Sequence, residues 1–389
     1  MKLLISGAGI AGPALAYWLK GPGFDITLVE RAPALREGGQ AVDFRGPVHR
    51  EVLERMGLWG PIHERRTTGS DLVLLDRKGE TFAKLPSVMM SGDVEILRGD
   101  LSRLLVDRVD ATVRFGDHVT ALTQDEHGVN VEFKNAKPER FDLVVGADGL
   151  HSGVRALTFG AESLFLKHHG YRLATFSLPN VLNLNGTALT YTVPGRSLMV
   201  THERAQLIFT GGPLGDERHD AKKLKDSIRA AYADVGWETP RILAELDRTT
   251  DLYVDEISTV ELDTFYKDRV ALLGDAASGG TLGGQGTPLA IVGAYVLAEE
   301  LKRADHATAF ANYQRLLMPY AREGQKGAKN VGSFFAPRTG WGLWLRNQFY
   351  RAFTSSLLIG QFEKLVKSTA SAFQLPQYEV TPPFRSAAA

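Results

Sequence analysis

The first thirty residues alternate between apolar runs and polar breaks in a way that predicts two strands joined by a helix. Lys2–Ser6 carries three consecutive aliphatic side chains, which is typical of a strand buried on both faces. An amphipathic stretch from about residue 10 to residue 20 predicts a helix, and the Gly-Pro-Gly sequence at 21–23 ends it. Asp25–Glu30 predicts the second strand. The chain therefore opens with a βαβ unit.

The pattern predicts further elements of both kinds along the chain. Helices are predicted at Pro47–Met56 and Gly99–Val109, an antiparallel meander at Thr112–Phe133, and a buried strand at Phe141–Gly146. From about residue 165 to residue 209 the sequence is rich in Thr, Tyr and Val, with turns between the runs. This composition predicts a separate β-sheet domain.

The rest of the chain returns to helices and a buried strand. The predicted elements are the helices Leu224–Val235, Ile242–Asp247 and about Pro288–Arg303, and the strand Arg269–Gly274. A helical tail is predicted from about Trp341 to Phe373. The part of this tail from Trp341 to Ile359 has two interpretations. It is either an amphipathic helix on a membrane surface or a helix that bridges two domains. Zero net charge and scattered basic residues favour the bridging helix.

Composition narrows the possible functions. The 389 residues include no cysteine, which excludes disulfides, thiolate catalysis, zinc–thiolate sites, iron–sulfur clusters and a dithiol electron relay, and fits a reducing compartment. Lys plus Arg and Asp plus Glu both number 45, so the net charge gives no indication of a nucleic-acid partner. No run of about 18 apolar residues is present, so we expect no transmembrane helix. We expect a cytoplasmic protein and predict no metal site.

A glycine motif lies between the first strand and the first helix. It reads Gly7-x-Gly9-x-x-Gly12, in which Gly7 permits a tight turn, Gly9 lets the backbone approach a pyrophosphate, and Gly12 lets helix and strand pack closely. The helix N-terminus offers unpaired N–H groups to phosphates. Glu30 ends the second strand, where a carboxylate can accept hydrogen bonds from ribose hydroxyls. With the neighbouring Arg31, these residues predict a dinucleotide site, although the motif alone does not separate FAD from NAD.

Two more motifs follow buried strands. Asp148 belongs to the segment Gly146–Arg155, and Asp275 follows Gly274 in Gly-Asp-Ala-Ala, which leads through a glycine-rich loop to Gly286 and a helix. A carboxylate at a strand end beside a glycine loop is where α/β sheets place ligand contacts. The alternative is that both aspartates are helix caps or turn residues. The agreement of three motifs favours the binding interpretation.

These three motifs, in this order and at these distances, resemble the class A flavoprotein monooxygenases of the p-hydroxybenzoate hydroxylase type, and most closely their tetracycline-destructase-like members. The resemblance extends to Arg98, which precedes a helix as the family's arginine does. It implies that Arg36 contacts NADPH, that Asp43 and Asp275 contact FAD, and that Asp148 serves both cofactors. For Arg36 and Arg98 the alternative is surface solvation or a structural ion pair.

The resemblance also implies an architecture. The fold class is α/β, a Rossmann-type FAD-binding domain with an inserted β-sheet substrate domain and a C-terminal helix. The expected boundaries are 1–70, 92–164 and 267–335 for the FAD-binding domain, 71–91 and 165–266 for the substrate domain, and 336–375 for the bridging helix.

The implied activity is hydroxylation of an electron-rich aromatic or polycyclic small molecule, with tetracycline-like antibiotics among the candidates. The implied cofactors are FAD and NADPH, with O2 as co-substrate and a flavin C4a-hydroperoxide as the oxygen donor; no catalytic acid or base is named. The sequence departs from the family at Ser278, Pro288 and Gly293, which bears on flavin position and the substrate pocket. Two other hypotheses stay open, a flavin-dependent reductase or dehydrogenase without oxygen insertion, and a non-catalytic flavoprotein sensor.

Overall fold

The computed structural model describes residues 1–21, 23–35, 39–67, 69–87, 92–282, 286–354, 374–376 and 378 of the chain. Within those ranges, none of the helices combines the length and the hydropathy that crossing a bilayer requires.

A six-stranded, mainly parallel sheet forms the centre of the larger unit. Its strands are β1 (Lys2–Ser6), β2 (Asp25–Glu30), β7 (Thr112–Phe115), β11 (Leu143–Gly146), β17 (Tyr266–Lys267) and β18 (Val270–Leu272). The order is β17-β18-β11-β1-β2-β7, and β17 alone among them pairs antiparallel. Because β1 and β11 are covered on both faces, their aliphatic side chains are fully buried, as the uninterrupted apolar runs predict.

A second sheet of seven strands forms the smaller unit. Its strands are β4 (Asp71–Leu75), β5 (Thr81–Leu85), β12 (Leu166–Ser177), β13 (Thr187–Val193), β14 (Arg196–Val200), β15 (Arg204–Thr210) and β16 (Tyr253–Val260), in the order β16-β12-β15-β14-β13-β4-β5. The β-sheet domain predicted from the Thr-, Tyr- and Val-rich region is therefore confirmed. The domain boundaries themselves stay a prediction.

Two small sheets complete the fold, and one of them differs from the meander predicted at Thr112–Phe133. They contain β3 (Ala41–Phe44) with β6 (Val94–Leu97), and β8 (Val119–Asp125) with β9 (Gly128–Phe133) and β10 (Glu139–Phe141). The predicted meander Thr112–Phe133 is wrong for its first strand, since β7 pairs parallel with β2 at the edge of the six-stranded sheet. The alternating pattern of β7 fits an edge strand as well as a hairpin strand, and pattern alone does not identify the partner.

The helices cover both sheets. They are α1 (Ala11–Leu19), α2 (Gly46–Arg55), α3 (Trp59–Glu64), α4 (Arg98–Val106), α5 (Gly153–Phe159), α6 (Ala221–Tyr232), α7 (Thr239–Glu245), α8 (Asp275–Ser278), α9 (Gly286–Leu301), α10 (His306–Phe335) and α11 (Gly340–Phe353). α9 is buried over nearly its whole surface and packs between α1 and α10, which is where a helix apolar on all sides belongs.

The thirty-residue helix α10 was not predicted. Pro319 lies in its interior, and Gly324, Gly327 and Gly332 follow, residues that weaken a sequence-based helix assignment. Tertiary contacts override this, because α10 packs on α9 of the larger unit and on β16, β12 and β15 of the smaller one. The predicted tail Trp341–Phe373 is confirmed as a helix up to Phe353, and residues 355–373 lie outside the described ranges.

Two glycines of α10 give a matched test of its packing. A Cβ on Gly332 would lie 2.4 Å from Cδ2 of Tyr171, whereas a Cβ on Gly327 would meet no atom within 4 Å. We expect Gly332→Ala to lower the free energy of unfolding by about 1–3 kcal/mol through overpacking. Gly327→Ala should raise it by about 0.5–1 kcal/mol, since alanine favours helix. Urea unfolding of the two variants checks this, and equal effects in both would contradict the packing of α10 on β12.

Candidate functional site

The turn between β1 and α1 is held by contacts that only glycine allows. Gly7 has a φ of +109°, and a Cβ there would lie 2.3 Å from the carbonyl oxygen of Ala147. A Cβ on Gly12 would lie 2.0 Å from the carbonyl oxygen of Gly7. The Gly7 N–H also donates to Val29 O at 2.7 Å. These two glycines therefore serve the packing of the chain against itself.

Gly9 differs from the other two glycines of the motif. A Cβ on Gly9 would meet no atom within 4 Å, so this side of the turn faces open space. No side chain caps α1, which leaves the N–H groups of its first turn available to an anion. Ser102 fixes the turn from behind, because its hydroxyl donates to Gly9 O at 2.8 Å. The arrangement suits a pyrophosphate held by backbone N–H groups.

Glu30 and Arg31 end β2 beside this turn. The Glu30 carboxylate accepts hydrogen bonds from the N–H groups of Ala8 at 2.9 Å and Ala32 at 2.8 Å. Each carboxylate oxygen keeps a further lone pair, so a ribose hydroxyl can still donate to it. Arg31 is exposed. The structure therefore brings the glycine turn and the acid together as the sequence predicted.

The loop after β11 packs against the glycine turn. Asp148 accepts hydrogen bonds from the Ser152 hydroxyl and, at 3.1 Å, from the Val154 N–H at the start of α5. Burial raises the pKa of the Asp148 carboxyl, and those hydrogen bonds oppose the rise only in part. Ser152 is the N-cap residue of α5, and Asp148 accepts one further N–H of its first turn, which does not exclude a ligand role.

Arg155 connects this loop to α8, which follows β18, and was not among the predicted site residues. Its guanidinium is fully buried and donates to Ala276 O at 3.0 Å and to Leu150 O at 2.7 Å. Only a weak signal for Arg155 as a site residue exists in the sequence, since it is the last residue of the Gly146–Arg155 segment. For Ser102 there is none, because its role depends on a tertiary contact.

Gly274, Asp275 and Gly286 lie together where β18 ends and α9 begins. Gly274 has a φ of +63°, and a Cβ there would lie 2.9 Å from Cβ of Ala11 in α1. A Cβ on Gly286 would lie 3.1 Å from Oδ1 of Asp275. The carboxylate therefore rests against the first residue of a sixteen-residue helix. Burial raises the pKa of Asp275, and the charge of Arg98 partly opposes this rise.

Arg98 reaches this region from the first residue of α4. Its N–H donates to Gln40 O at 3.1 Å, and β3 pairs antiparallel with β6 directly before it. Asp43 on β3 is 2.7 Å from Nε of Arg45 in an ion pair. Arg36 lies outside the described residues, and its predicted contact with NADPH stays a prediction. Among the residues described, no group of three or more His, Asp or Glu side chains is arranged to hold a metal ion.

A charged cluster joins the loop after β11 to the seven-stranded sheet. His151 Nδ1 lies 3.1 Å from the Glu162 carboxylate, and Nε2 lies 3.2 Å from Oδ1 of Asp255 on β16. Arg218 donates to Asp255 at 3.1 Å and to Glu256 at 2.8 Å. Burial lowers the pKa of His151, but hydrogen bonds to Asp255 and Glu162 outweigh it and raise the pKa to about 9. At neutral pH the imidazolium therefore bridges the two units.

Comparison with known proteins agrees with this geometry. Residues 1–334 match the protein family described as FAD binding domain. The chain belongs to this family. A flavin-dependent monooxygenase of an unknown prokaryotic organism is 34% identical, covering 97% of this chain and 99% of the relative. One from Legionella longbeachae is 33% identical, covering 97% and 98%. The crystal structure of tetracycline destructase Tet(51) is 32% identical with a TM-score of 0.83, covering 97% and 99%.

The comparisons confirm the predicted fold class, the cofactor FAD and the FAD-dependent monooxygenase activity. The residues present also fit FAD. The open side of Gly9 and the uncapped start of α1 suit the pyrophosphate, and Glu30 suits a ribose. The individual contacts of the predicted site residues with FAD stay predictions.

The open space beside Gly9 gives a test of the FAD site. We expect Gly9→Val to leave the fold intact and to weaken FAD binding by about 100-fold or more, about 2.8 kcal/mol, because the added methyl groups occupy the space of a phosphate. Fluorescence titration of the apoprotein with FAD measures this. Gly236→Val is the control, since a Cβ on Gly236 also meets no atom within 4 Å, far from the site in sequence. Unchanged FAD affinity in Gly9→Val would contradict the assignment.

The His151 cluster predicts a pH-dependent contribution to stability. The pKa of His151 is about 9 in the folded protein, against 6.5 for an ordinary histidine, so protonation favours the folded state. The resulting contribution to the free energy of unfolding is complete below pH 6.5 and is lost as the pH rises through 9. Because 27% of the side chain is exposed, solvent screens part of this effect. We expect the free energy of unfolding of wild type to be about 1–2 kcal/mol higher than that of His151→Gln at pH 6.5, and the difference to disappear above pH 9.

Urea unfolding at both pH values measures the difference between wild type and His151→Gln. The exposed His127 supplies the control, and His127→Gln should match wild type at either pH. A His151→Gln deficit that stays the same from pH 6.5 to pH 9 would show that the imidazolium does not hold the cluster together.

Proposed function

We propose that this enzyme uses NADPH to reduce FAD and hydroxylates an electron-rich aromatic or polycyclic small molecule with one atom of O2. Tetracycline-like molecules are the first candidates, because a solved structure with 32% identity over nearly the whole chain is a tetracycline destructase. The proposal includes the cytoplasm as its location, since a chain without cysteine suits a reducing compartment.

The observation that carries the proposal is a row of side chains across the seven-stranded sheet. Pairing between strands aligns Tyr253, Thr175, Gln206, Met199 and Thr190 in that order, on β16, β12, β15, β14 and β13. Directly paired residues point to the same face of a sheet, so these five side chains share one surface. The opposite surface of the sheet is covered by α6 and α7. The residues that alternate with the row along the same strands pack there in a hydrophobic core with these helices.

The row begins beside the predicted flavin site. The charges of Arg98 and Asp275 act on the Tyr253 hydroxyl, so the three groups are near one another. The Tyr253 hydroxyl donates to Oδ2 of Asp255 at 2.7 Å, which fixes its direction. A substrate lying along the row from Tyr253 towards Thr190 would therefore start next to the cofactor.

The chemistry of the row suits a polycyclic molecule that carries several oxygen atoms. Thr175 and Thr190 are buried, and Oγ1 of Thr190 has no hydrogen-bond partner among the described residues. A buried hydroxyl without a partner is costly, and a substrate oxygen or hydroxyl would relieve that cost. Met199 adds an apolar, adaptable contact, and Gln206 adds an amide. Mostly apolar surface with a few polar groups is typical of small-molecule sites.

FAD, when bound, supplies the electron transfer to O2 and the delivery of oxygen to the substrate. The chain supplies position and electrostatics. Gly286 begins a helix whose N-terminal partial charge favours negative charge beside it. The sheet row and the loop after β18 would exclude water from the space between them, which limits loss of reducing equivalents to hydrogen peroxide.

Turnover under ¹⁸O2 tests the proposal. With tetracycline or another polycyclic phenol that stimulates NADPH oxidation, we expect the product to gain one labelled oxygen atom, measured by mass spectrometry. Parallel assays with NADH compare the two nicotinamide donors. An unlabelled product, with all consumed O2 recovered as peroxide, would favour the reductase or dehydrogenase hypothesis.

The same assay tests the row. We expect Thr190→Val to raise KM for the stimulating substrate by about 2- to 10-fold, the effect of one hydrogen bond, with kcat and FAD content unchanged. Thr187→Val is the matched control, because Thr187 lies three residues earlier on β13 and points to the opposite face. Equal KM values in wild type and Thr190→Val would remove Thr190 from the substrate surface.

A further inference from the structure

We propose that the outer face of α11 docks on the surface of an anionic lipid bilayer. This face, which we call the aromatic face, consists of Trp341, Trp344 and Leu345. These side chains are 70%, 50% and 56% exposed. Residues three and four apart share one side of a helix, so the three form a single patch. The Trp341 and Trp344 rings stack with centroids 4.8 Å apart.

The opposite face of α11 is already occupied. Leu343, Arg346 and Tyr350 are buried and face the seven-stranded sheet, and the Arg346 guanidinium donates to Phe335 O at the end of α10 at 2.8 Å. One side of α11 is therefore packed on the seven-stranded sheet. The aromatic face is a second apolar surface that these contacts do not use, and contiguous exposed apolar surface of this kind marks an interaction site.

The charge of the surrounding sequence selects the partner. Between Glu323 and Glu363 the sequence contains no acidic residue and five basic ones. Two of the basic residues, Arg338 and Arg351, are exposed and flank the aromatic face along the chain. Their described contacts are with aromatic rings and a backbone carbonyl, at Tyr171, Phe82 and Gly170 O. The other three are buried or paired with carboxylates, so Arg338 and Arg351 are the cations that flank the aromatic face.

Arg338 also lines a groove close to the start of α11. The groove has a volume of about 470 Å³ and is bounded by Gly170, Pro194, Gly195, Thr210, Gly211 and Arg338. Glycine and proline leave room between the strand turns, and the guanidinium supplies donors that match a phosphate. A lipid headgroup phosphate could enter this groove while the tryptophans lie at the level of the acyl-chain boundary.

A bilayer fits the size of the aromatic face better than a second copy of the chain. From the usual side-chain areas, its exposed surface is about 400 Å². A stable protein–protein interface needs about 800 Å² from each partner. A bilayer sets no such minimum, because tryptophan and arginine together are the residues that anchor peripheral helices at a lipid surface.

Vesicle flotation of the purified holoenzyme tests the proposal. The probes are vesicles of phosphatidylcholine alone and of equal parts phosphatidylcholine and phosphatidylglycerol. We expect binding to the anionic vesicles that weakens as salt rises, and little binding to the neutral ones. The double variant Trp341→Ser/Trp344→Ser should lower the bound fraction about fivefold or more, and Leu345→Ser should lower it less. Arg338→Gln/Arg351→Gln should lower binding to anionic vesicles alone.

Matched controls separate the site from general effects. Leu164→Ser removes an equally exposed apolar side chain elsewhere, and Arg241→Gln removes an exposed arginine, so both should bind like wild type. Retained FAD absorbance and an unchanged melting temperature confirm that a variant is folded. If the double tryptophan variant does not fold, Leu345→Ser tests the aromatic face in its place.

Three results would overturn the proposal. One is wild-type holoenzyme that binds neither kind of vesicle, or that binds both equally at all salt concentrations. Another is a dimer in light scattering that dissociates in the double tryptophan variant without any vesicle binding, which would assign the aromatic face to a second copy. The third is binding that appears only after truncation beyond Thr354, which would assign the face to the chain's own C-terminal segment.

Discussion

The close approach of the chain at the carboxyl ends of β1, β11 and β18 is the constraint on which the structure depends. The glycine turn after β1 is so near the loop after β11 that a Cβ on Gly7 would be 2.3 Å from the Ala147 carbonyl oxygen. The segment after β18, which includes α8, is held to the same place by Gly274 against Ala11 and by Arg155 against Ala276 O. Three loops are therefore packed against one another, and the predicted FAD site is the open side of that packing.

The attachment of the second sheet follows from this constraint. β16 runs beside the loops and carries Asp255 and Glu256, two buried carboxylates that would destabilise the fold if they had no cationic partner. His151 and Arg218 supply the positive charge, one from the loop after β11 and one from a 3₁₀ turn on the smaller unit. The charges that join the two units thus lie near Asp275, because the charge of Asp255 also raises the pKa of that carboxyl. We therefore expect a substitution in the charged cluster to alter the electrostatics around Asp275.

The predictions from sequence succeeded where one local rule was enough. The strands Lys2–Ser6 and Asp25–Glu30 have the predicted bounds, because buried strands leave continuous apolar patterns. They failed where a partner distant in sequence decides the outcome. β7 joins β2 rather than β8, and α10 persists through Pro319 because two units pack on it.

The same division applies to the site. The positions of the glycines, Glu30, Asp148 and Asp275 were predictable, because a turn, a strand end and a helix start each require a recognisable residue, while their contacts with FAD stay predictions. Ser102 and Arg155 were not predicted as site residues, because the carbonyl groups that they hold belong to loops far away in sequence. The row from Tyr253 to Thr190 needed the register of five strands, which no single stretch of the sequence contains.

The alternation of side chains along these strands has a consequence for how the enzyme can diverge. On β14, Met199 belongs to the row, while Leu198 and Val200 on either side belong to the core under α6 and α7. The same holds for Gln206 between Ala205 and Leu207 on β15. With the proposed substrate surface, mutations at every second position would change which molecule is accepted, while the intervening positions keep the domain folded. A lineage could then exchange one substrate for another through single substitutions along the row.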